Sequence, residues 1–163
     1  MRRVMGALPA LVLTLACSAD TDAPLKACTL IGCVDGLTVD LEPASGWPAG
    51  SYRFTIDADA TRVTCSGSLP LPSCAAGRAL TCDTPGVVTI TESGCALPAG
   101  AQGFPQIGFD SKLQPRRVVI NITRNDALIG RAELAPEFRT SEPNGPGCPP
   151  TCHQAHAQMT ARF

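Results

Sequence analysis

The chain is poor in charged and aromatic side chains, which make up 17% and 4% of its 163 residues. Its 13 Lys and Arg are balanced by 14 Asp and Glu, so no basic excess favours binding to nucleic acid. It has two histidines and lacks the Gly-x-Ser-x-Gly, phosphate-binding glycine-loop and His-Glu-x-x-His motifs of common enzyme classes. We therefore expect no nucleic-acid partner, no cofactor and no catalytic residue, and predict that the protein is not an enzyme.

The N-terminus has the layout of a signal peptide. Arg2 and Arg3 form a positive segment, and residues 7–16 form a short, mostly apolar run. This run is too short to cross a bilayer as a helix, which needs about 20 apolar residues, and no later stretch offers an alternative. Residues 1–16 are therefore predicted to be an export signal.

The apolar run ends in Leu13-Thr14-Leu15-Ala16-Cys17, which resembles the lipobox of bacterial lipoproteins. Cys17 matches the invariant cysteine and Ala16 the small residue before it, while Thr14 stands where the family usually carries Leu. The resemblance implies cleavage before Cys17 and several acyl chains on that cysteine, each methylene contributing about 0.8 kcal/mol to membrane binding. Ordinary cleavage is the alternative, and it would leave Cys17 as a free thiol in an oxidising compartment.

The lipobox also implies an address for the protein and a division of the chain. Ser18 follows the cysteine, where lipoproteins retained in the inner membrane resemble a pattern with Asp, so the outer membrane of the cell envelope is implied. Residues 17–26 comprise the lipidated cysteine and small or polar residues predicted to form a flexible tether. Residues 27–163 are predicted to form one domain. The membrane is thus an expected partner, beside an unidentified protein or envelope component.

The cysteine count independently favours export. Without Cys17, nine cysteines become an even set of eight, which is typical of four disulfides formed in an oxidising compartment. Eight cysteines allow roughly a hundred pairings. We hypothesise that the 28–33 loop is stapled to the 148–152 loop, because the chain ends of a domain often lie close together. The disulfide candidates are Cys28, Cys33, Cys65, Cys74, Cys82, Cys95, Cys148 and Cys152.

Several short segments alternate apolar and polar residues, which is the pattern of half-buried strands. The pattern is clearest in residues 37–42 and 52–57, which the turn-forming Pro48-Ala49-Gly50 separates. Trp47, beside this turn, is predicted to lie in the core because tryptophan can bury a large apolar area, and an exposed binding anchor is the alternative. Further strands are predicted at residues 62–66, 87–92, 107–111, 116–124 and 127–134.

The last two of these segments predict a hairpin that turns at Asn125-Asp126, with Leu128, Ala132 and Leu134 on one face of its second strand. The 15 Gly and 15 Pro argue against long helices, and no helical run separates the strands to build parallel crossovers. The sequence therefore predicts an all-β fold. We expect a single antiparallel β-sandwich of immunoglobulin-like type, stapled by about four disulfides.

Two segments carry further resemblances. Residues 48–56 resemble the turn and strand that open immunoglobulin-like and prealbumin-like sandwich modules. Residues 143–152 resemble the tail of small cysteine-rich bacterial lipoproteins of unknown role. The first resemblance favours a sandwich fold, and neither implies an activity, because sandwich modules serve many functions.

The tail also contains four potential metal ligands within nine residues, namely Cys148, Cys152, His153 and His156. Zinc is the metal that such a set would favour. If the last segment is a strand, the two histidines point to opposite faces and cannot easily share a metal, whereas a helix would bring them together. We expect no metal there.

The sequence thus predicts a membrane-anchored bacterial lipoprotein whose sandwich has a non-catalytic binding or structural role. The alternative is a metal-binding protein or metal-dependent enzyme that uses the C-terminal cysteines and histidines. The alternative requires free thiolates, whereas the leading interpretation requires oxidised cysteines.

Overall fold

The computed structural model describes residues 26–162. The predictions for the signal peptide, for Cys17 and for all but the last residue of the tether therefore lie outside the described residues. Within the described part there is no α-helix, and two single-turn 3-10 helices lie at Cys74–Ala76 and Ala99–Ala101. Everything else that is regular is β-structure.

Ten strands form two five-stranded sheets that pack face to face, so the predicted all-β sandwich is confirmed. The first sheet has the order β5-β6-β1-β10-β9 and the second the order β4-β3-β2-β7-β8. The strands are β1 (Gly36–Pro43), β2 (Gly50–Ala58), β3 (Thr61–Leu69), β4 (Thr81–Cys82), β5 (Val88–Ser93), β6 (Gly103–Phe109), β7 (Val118–Arg124), β8 (Ala127–Leu134), β9 (Arg139–Ser141) and β10 (Cys152–Ala161).

Alternation in the sequence identified the first two strands correctly. Every second residue of β1 and β2 is buried, and β1 and β2 belong to different sheets, so the intervening turn carries the chain from one sheet to the other. The predicted strand at 107–111 is misplaced, because β6 begins at Gly103 and ends at Phe109. The short strands β4 and β9 have too few residues to show a period of two, and no strand was predicted at either place.

One strand pair departs from the antiparallel prediction. β10 runs parallel to β1 along the whole length of β1, with Gly36 opposite Gln154 and Pro43 opposite Ala161. β10 pairs with β9 in the antiparallel sense on its other side. A parallel partner needs a long connection and therefore leaves no local turn signal in the sequence.

The β7–β8 hairpin is confirmed, and Asn125 and Asp126 both have positive φ, at 49° and 65°. That conformation matches the twist of the strands and is the one that two-residue hairpin loops favour. The prediction that Leu128 shares a face with Ala132 and Leu134 is wrong, because its side chain is 60% exposed whereas Ala132 and Leu134 pack against the core. The register shifts so that Ile129 has no opposite residue, and this bulge moves Leu128 outward while Ile129 packs against the core.

The core between the sheets is centred on four aromatic rings. Phe104 packs edge-on against Trp47, Tyr52 and Phe54, with ring centroids 5.3 to 5.5 Å apart. The Tyr52 hydroxyl donates a hydrogen bond to the Pro48 carbonyl, which fastens the turn before β2 to the core. Trp47 is buried as predicted. Edge-on contacts of this kind stabilise a core beyond the apolar area that they bury.

We predict that Gly103→Ala destabilises the protein by about 1–3 kcal/mol, the usual range for overpacking. A Cβ at Gly103 would lie 2.2 Å from Trp47 Cδ1, so the indole would have to leave its place among the rings. Gly108→Ala in the same strand is the matched control, because its Cβ would approach nothing closer than 3.9 Å. Urea unfolding of both variants tests this. Equal stability losses would contradict the packing described for Trp47.

Candidate functional site

All eight cysteines of the described part of the chain are paired, as predicted. Two of the four disulfides join the segment before β1 to the segment around the start of β10, which confirms the hypothesis that the 28–33 loop is stapled to the 148–152 loop. The sulfurs are 2.02 and 1.89 Å apart in these two pairs. The pairs are Cys28–Cys148, Cys33–Cys152, Cys65–Cys82 and Cys74–Cys95.

This pairing bears on the C-terminal cysteine and histidine cluster. Cys148 and Cys152 are buried and bonded to other sulfurs, so neither supplies a thiolate to a metal. The segment is a strand, which removes the helix that would have brought His153 and His156 together. Within residues 26–162, no three His, Cys, Asp or Glu side chains are placed to hold a metal ion. The tail serves as a staple for the two ends of the domain.

His156 instead contacts a carboxylate on the neighbouring strand. Its Nε2 lies 2.8 Å from Asp40 Oδ2, and Gln106 Nε2 donates to Asp40 Oδ1 at 3.0 Å. The three side chains form a row across β6, β1 and β10. The Gln106 hydrogen bond, with a smaller contribution from His156, holds the pKa of Asp40 below its ordinary value. Sequence reasoning missed this row because the histidine and the aspartate are far apart along the chain.

The His156–Asp40 pair has part of the chemistry of a hydrolytic site, because a carboxylate can orient an imidazole that acts as a base. Thr38, whose side chain carries a hydroxyl, lies opposite His156 on β1. Acyl transfer also needs hydrogen-bond donors for an oxyanion, positioned about 3 Å from the reacting atom. The row lies on the outer face of the sheet, where it offers a binding surface, and the prediction that the protein is not an enzyme stays a prediction.

The second feature of this region is a free edge on β10. β9 pairs only with residues 152–154 of β10, at the start of the strand. At the other end the Arg162 N–H donates to the Ile129 carbonyl of β8 at 2.7 Å. Between these two points β8 and the 135–138 connection run antiparallel to β10, and no backbone hydrogen bond of the described residues joins them to it.

Alternation along the strand assigns the free groups. The Ala161 carbonyl accepts from Ala44 after β1, and the His153 N–H donates to Asp35 before β1, so odd-numbered residues of β10 direct their backbone groups toward β1. Even-numbered residues direct theirs to the other side, as Arg162 does. The N–H and C=O groups of His156, Gln158 and Thr160 therefore face the free edge.

A cleft of about 690 Å³ opens beside this edge. Its size is within the range of ligand-binding clefts in proteins. Its lining includes the apolar side chains of Val34, Leu134 and Pro136 and the polar side chains of Arg139 and His156. A smaller hollow of about 480 Å³ continues along the seam between β8 and β10 toward Leu128. The two hollows lie along one strand and together follow its unpaired part.

A third hollow, of about 650 Å³, lies on the outer face of the second sheet. Its charged groups already bind one another. Arg62 donates to both oxygens of Asp57 at 2.5 and 3.0 Å, and Arg117 donates to Glu133 at 2.6 Å. These contacts lower the pKa of both carboxyls, chiefly through the hydrogen bonds from the two arginines. Because these arginines are already engaged, the β10 edge is the stronger candidate.

Comparison of the chain with protein-family models, with curated proteins and with solved structures gives no match. Among residues 26–162, no helix has the length and apolar character needed to cross a membrane. The β10 edge is therefore a candidate binding site on the ground of its geometry alone.

We predict that the backbone amides of His156 and Gln158 exchange with solvent deuterium at least about tenfold faster than those of Ala157 and Met159. The odd-numbered amides are held in the ladder with β1, while the even-numbered amides face the cleft. Residue-resolved exchange followed by NMR measures this alternation directly. Uniform protection along residues 155–160 would mean that the edge is closed.

Proposed function

We propose that the chain is a lipid-anchored protein of the bacterial cell envelope, acylated at Cys17, whose sandwich binds an extended polypeptide segment along the free edge of β10. Binding, without catalysis, is its function. The observation that carries the envelope location is the pairing of all eight cysteines in residues 26–162. Disulfides of this density are typical of compartments outside the reducing cytosol.

The position of two of the disulfides supports the lipid anchor. Cys28 and Cys33 follow closely on the proposed tether and are bonded to the segment around the start of β10. A force applied at the N-terminus is therefore transmitted to the sheet through these disulfides before it acts on any hydrogen bond of β1. This arrangement suits a domain that is held at its N-terminus.

The free edge supports the binding mode. An exposed strand edge recognises an extended peptide by main-chain hydrogen bonds, and pockets for alternate side chains then provide specificity. His156 and Gln158 supply the main-chain groups, and Leu134 and Pro136 in the cleft supply apolar contacts for a side chain. Arg139 at the same cleft pairs with Glu137 at 3.7 Å, and both side chains are more than four-fifths exposed, so that pair can be exchanged for charges of a partner.

The anchor is tested on protein isolated from a Gram-negative bacterial host by mass spectrometry, with and without a thiol-blocking reagent. We expect a mature chain that begins at Cys17, carries acyl chains and contains no blockable thiol. Cys17→Ser should remove the acyl mass and release the protein from the membrane fraction. A mature chain without acyl chains would refute the anchor, and two or more blocked thiols would refute the oxidised framework.

The binding mode is tested by selecting peptides from a random displayed library against the folded domain. We expect the selected peptides to protect the amides of His156 and Gln158 from exchange. Gln158→Pro, which removes an N–H at the free edge, should weaken their binding about tenfold or more, because a main-chain hydrogen bond is lost and the ring crowds the edge.

Gln158→Ala is the matched control, because it keeps the N–H and should bind within about twofold of the unchanged protein. Thermal unfolding establishes that both variants fold. Peptides that protect another surface, or that bind the proline variant equally well, would show that the edge is not the binding site.

A further inference from the structure

The segment that precedes β1 exposes aliphatic side chains at an unusual density. Leu30 is fully exposed, Val34 is 78% exposed and Ile31 is 55% exposed. We call residues 28–34 the apolar loop. Single exposed aliphatic residues are common on protein surfaces, but a cluster on one short loop is typical of a contact site.

The apolar loop is held firmly in this exposed position. Its disulfides at Cys28 and Cys33 fix both ends to the domain. Between them, the Asn144 side chain accepts from the Ile31 N–H at 2.9 Å and donates to the Ile31 carbonyl at 3.0 Å. The Thr29 hydroxyl donates to the same Asn144 oxygen. The Asn144 side chain thus makes the paired hydrogen bonds that a neighbouring strand would make to the Ile31 backbone. These bonds and the two disulfides hold the loop with Leu30 exposed to solvent.

The length of the preceding chain limits how far the apolar loop can lie from Cys17. Eight residues separate Cys17 from Lys26. Nine residue steps cannot exceed about 30 Å even when fully extended, and flexible chains of this length span roughly half of that on average. A lipid anchor on Cys17 would therefore keep the apolar loop within one tether length of the bilayer surface.

We propose that the apolar loop is a second membrane contact, in which Leu30 and Ile31 enter the headgroup and upper acyl region of the bilayer. This proposal rests on the lipid anchor proposed above. Apolar side chains of interfacial segments lie about 5–10 Å deep in this region, and the adjacent cation Lys26 suits an anionic lipid surface. With one covalent anchor and one rigid loop at the same end, the domain has a fixed orientation on the membrane.

The orientation has a consequence for the binding edge. β10 starts at Cys152, which is bonded to the apolar loop through Cys33, and His156 lies four residues further along the strand. At about 3.3 Å per residue, His156 lies roughly 13 Å beyond the staple, at the far part of a cleft that starts beside Val34. The free edge would then lie above the lipid surface, open to partners in the same compartment.

The test uses the acylated protein in vesicles of phosphatidylethanolamine and phosphatidylglycerol, some of them carrying bromine on the acyl chains near the headgroup. Leu30→Trp places a fluorophore on the apolar loop, and Leu128→Trp is the matched control. Leu128 is also an exposed aliphatic residue, and it lies beside Thr160 and Arg162 at the opposite end of β10. The native Trp47 is buried and provides the same background in both.

We expect bromine to reduce the additional emission of the Leu30→Trp variant at least about twofold and to leave that of the Leu128→Trp variant unchanged. Equal quenching or no quenching in the two variants overturns the second contact. Mass spectrometry of the same samples separates this result from failure of the anchor. A missing acyl mass refutes the proposed function and the inference together, whereas an acylated but unquenched Leu30→Trp variant refutes only the inference.

Discussion

The position of β10 between β1 and β9 is the constraint on which the rest of the structure depends. This strand connects the last segment of the chain to the first, and the disulfides to Cys28 and Cys33 span 120 and 119 residues. Closing a loop of that length reduces the conformational entropy of the unfolded chain. In the chain-entropy treatment this stabilises the folded state by an amount on the order of 5 kcal/mol. The second disulfide contributes less, because the first already holds the same segments together. Their combined effect is to fix a strand that no hairpin holds.

The two sheets differ in how much of their order can be predicted from the sequence. In the second sheet β2 pairs with β3, and β7 with β8, through two-residue turns at Asp59-Ala60 and Asn125-Asp126, whose chemistry is local. In the first sheet β10 pairs with β1 from the far end of the chain. Alternation therefore predicted β2, β3, β7, β8 and the β7–β8 hairpin, while the parallel pair was missed because its partners share no turn. The bulge at Ile129 was missed for a related reason, since it depends on the register against β7.

The same distinction applies to the candidate site. The cysteine staple could be predicted, because two cysteines lie near each end of the domain and the ends of a domain often lie close together. The contact between Asp40 and His156 could not, because it requires the register of β1 against β10. The free edge is equally non-local, since it depends on where β9 stops pairing with β10. Features of the site that arise from residue type were visible in the sequence, and those that arise from register were not.

Exposed strand edges favour unwanted association, and most edges of this sandwich are protected against it. β4 and β9 are only two and three residues long. β8 carries the bulge at Ile129 and the charged side chains Arg131 and Glu133. The unpaired part of β10 is protected differently, because it lies inside a cleft whose ends are closed by β9 and by the Arg162 hydrogen bond. Gly130 of β8 packs closely against Met159 and Ala161 near the end of this part of the strand. An edge covered in this way is poorly placed to pair with a second sheet, which disfavours aggregation.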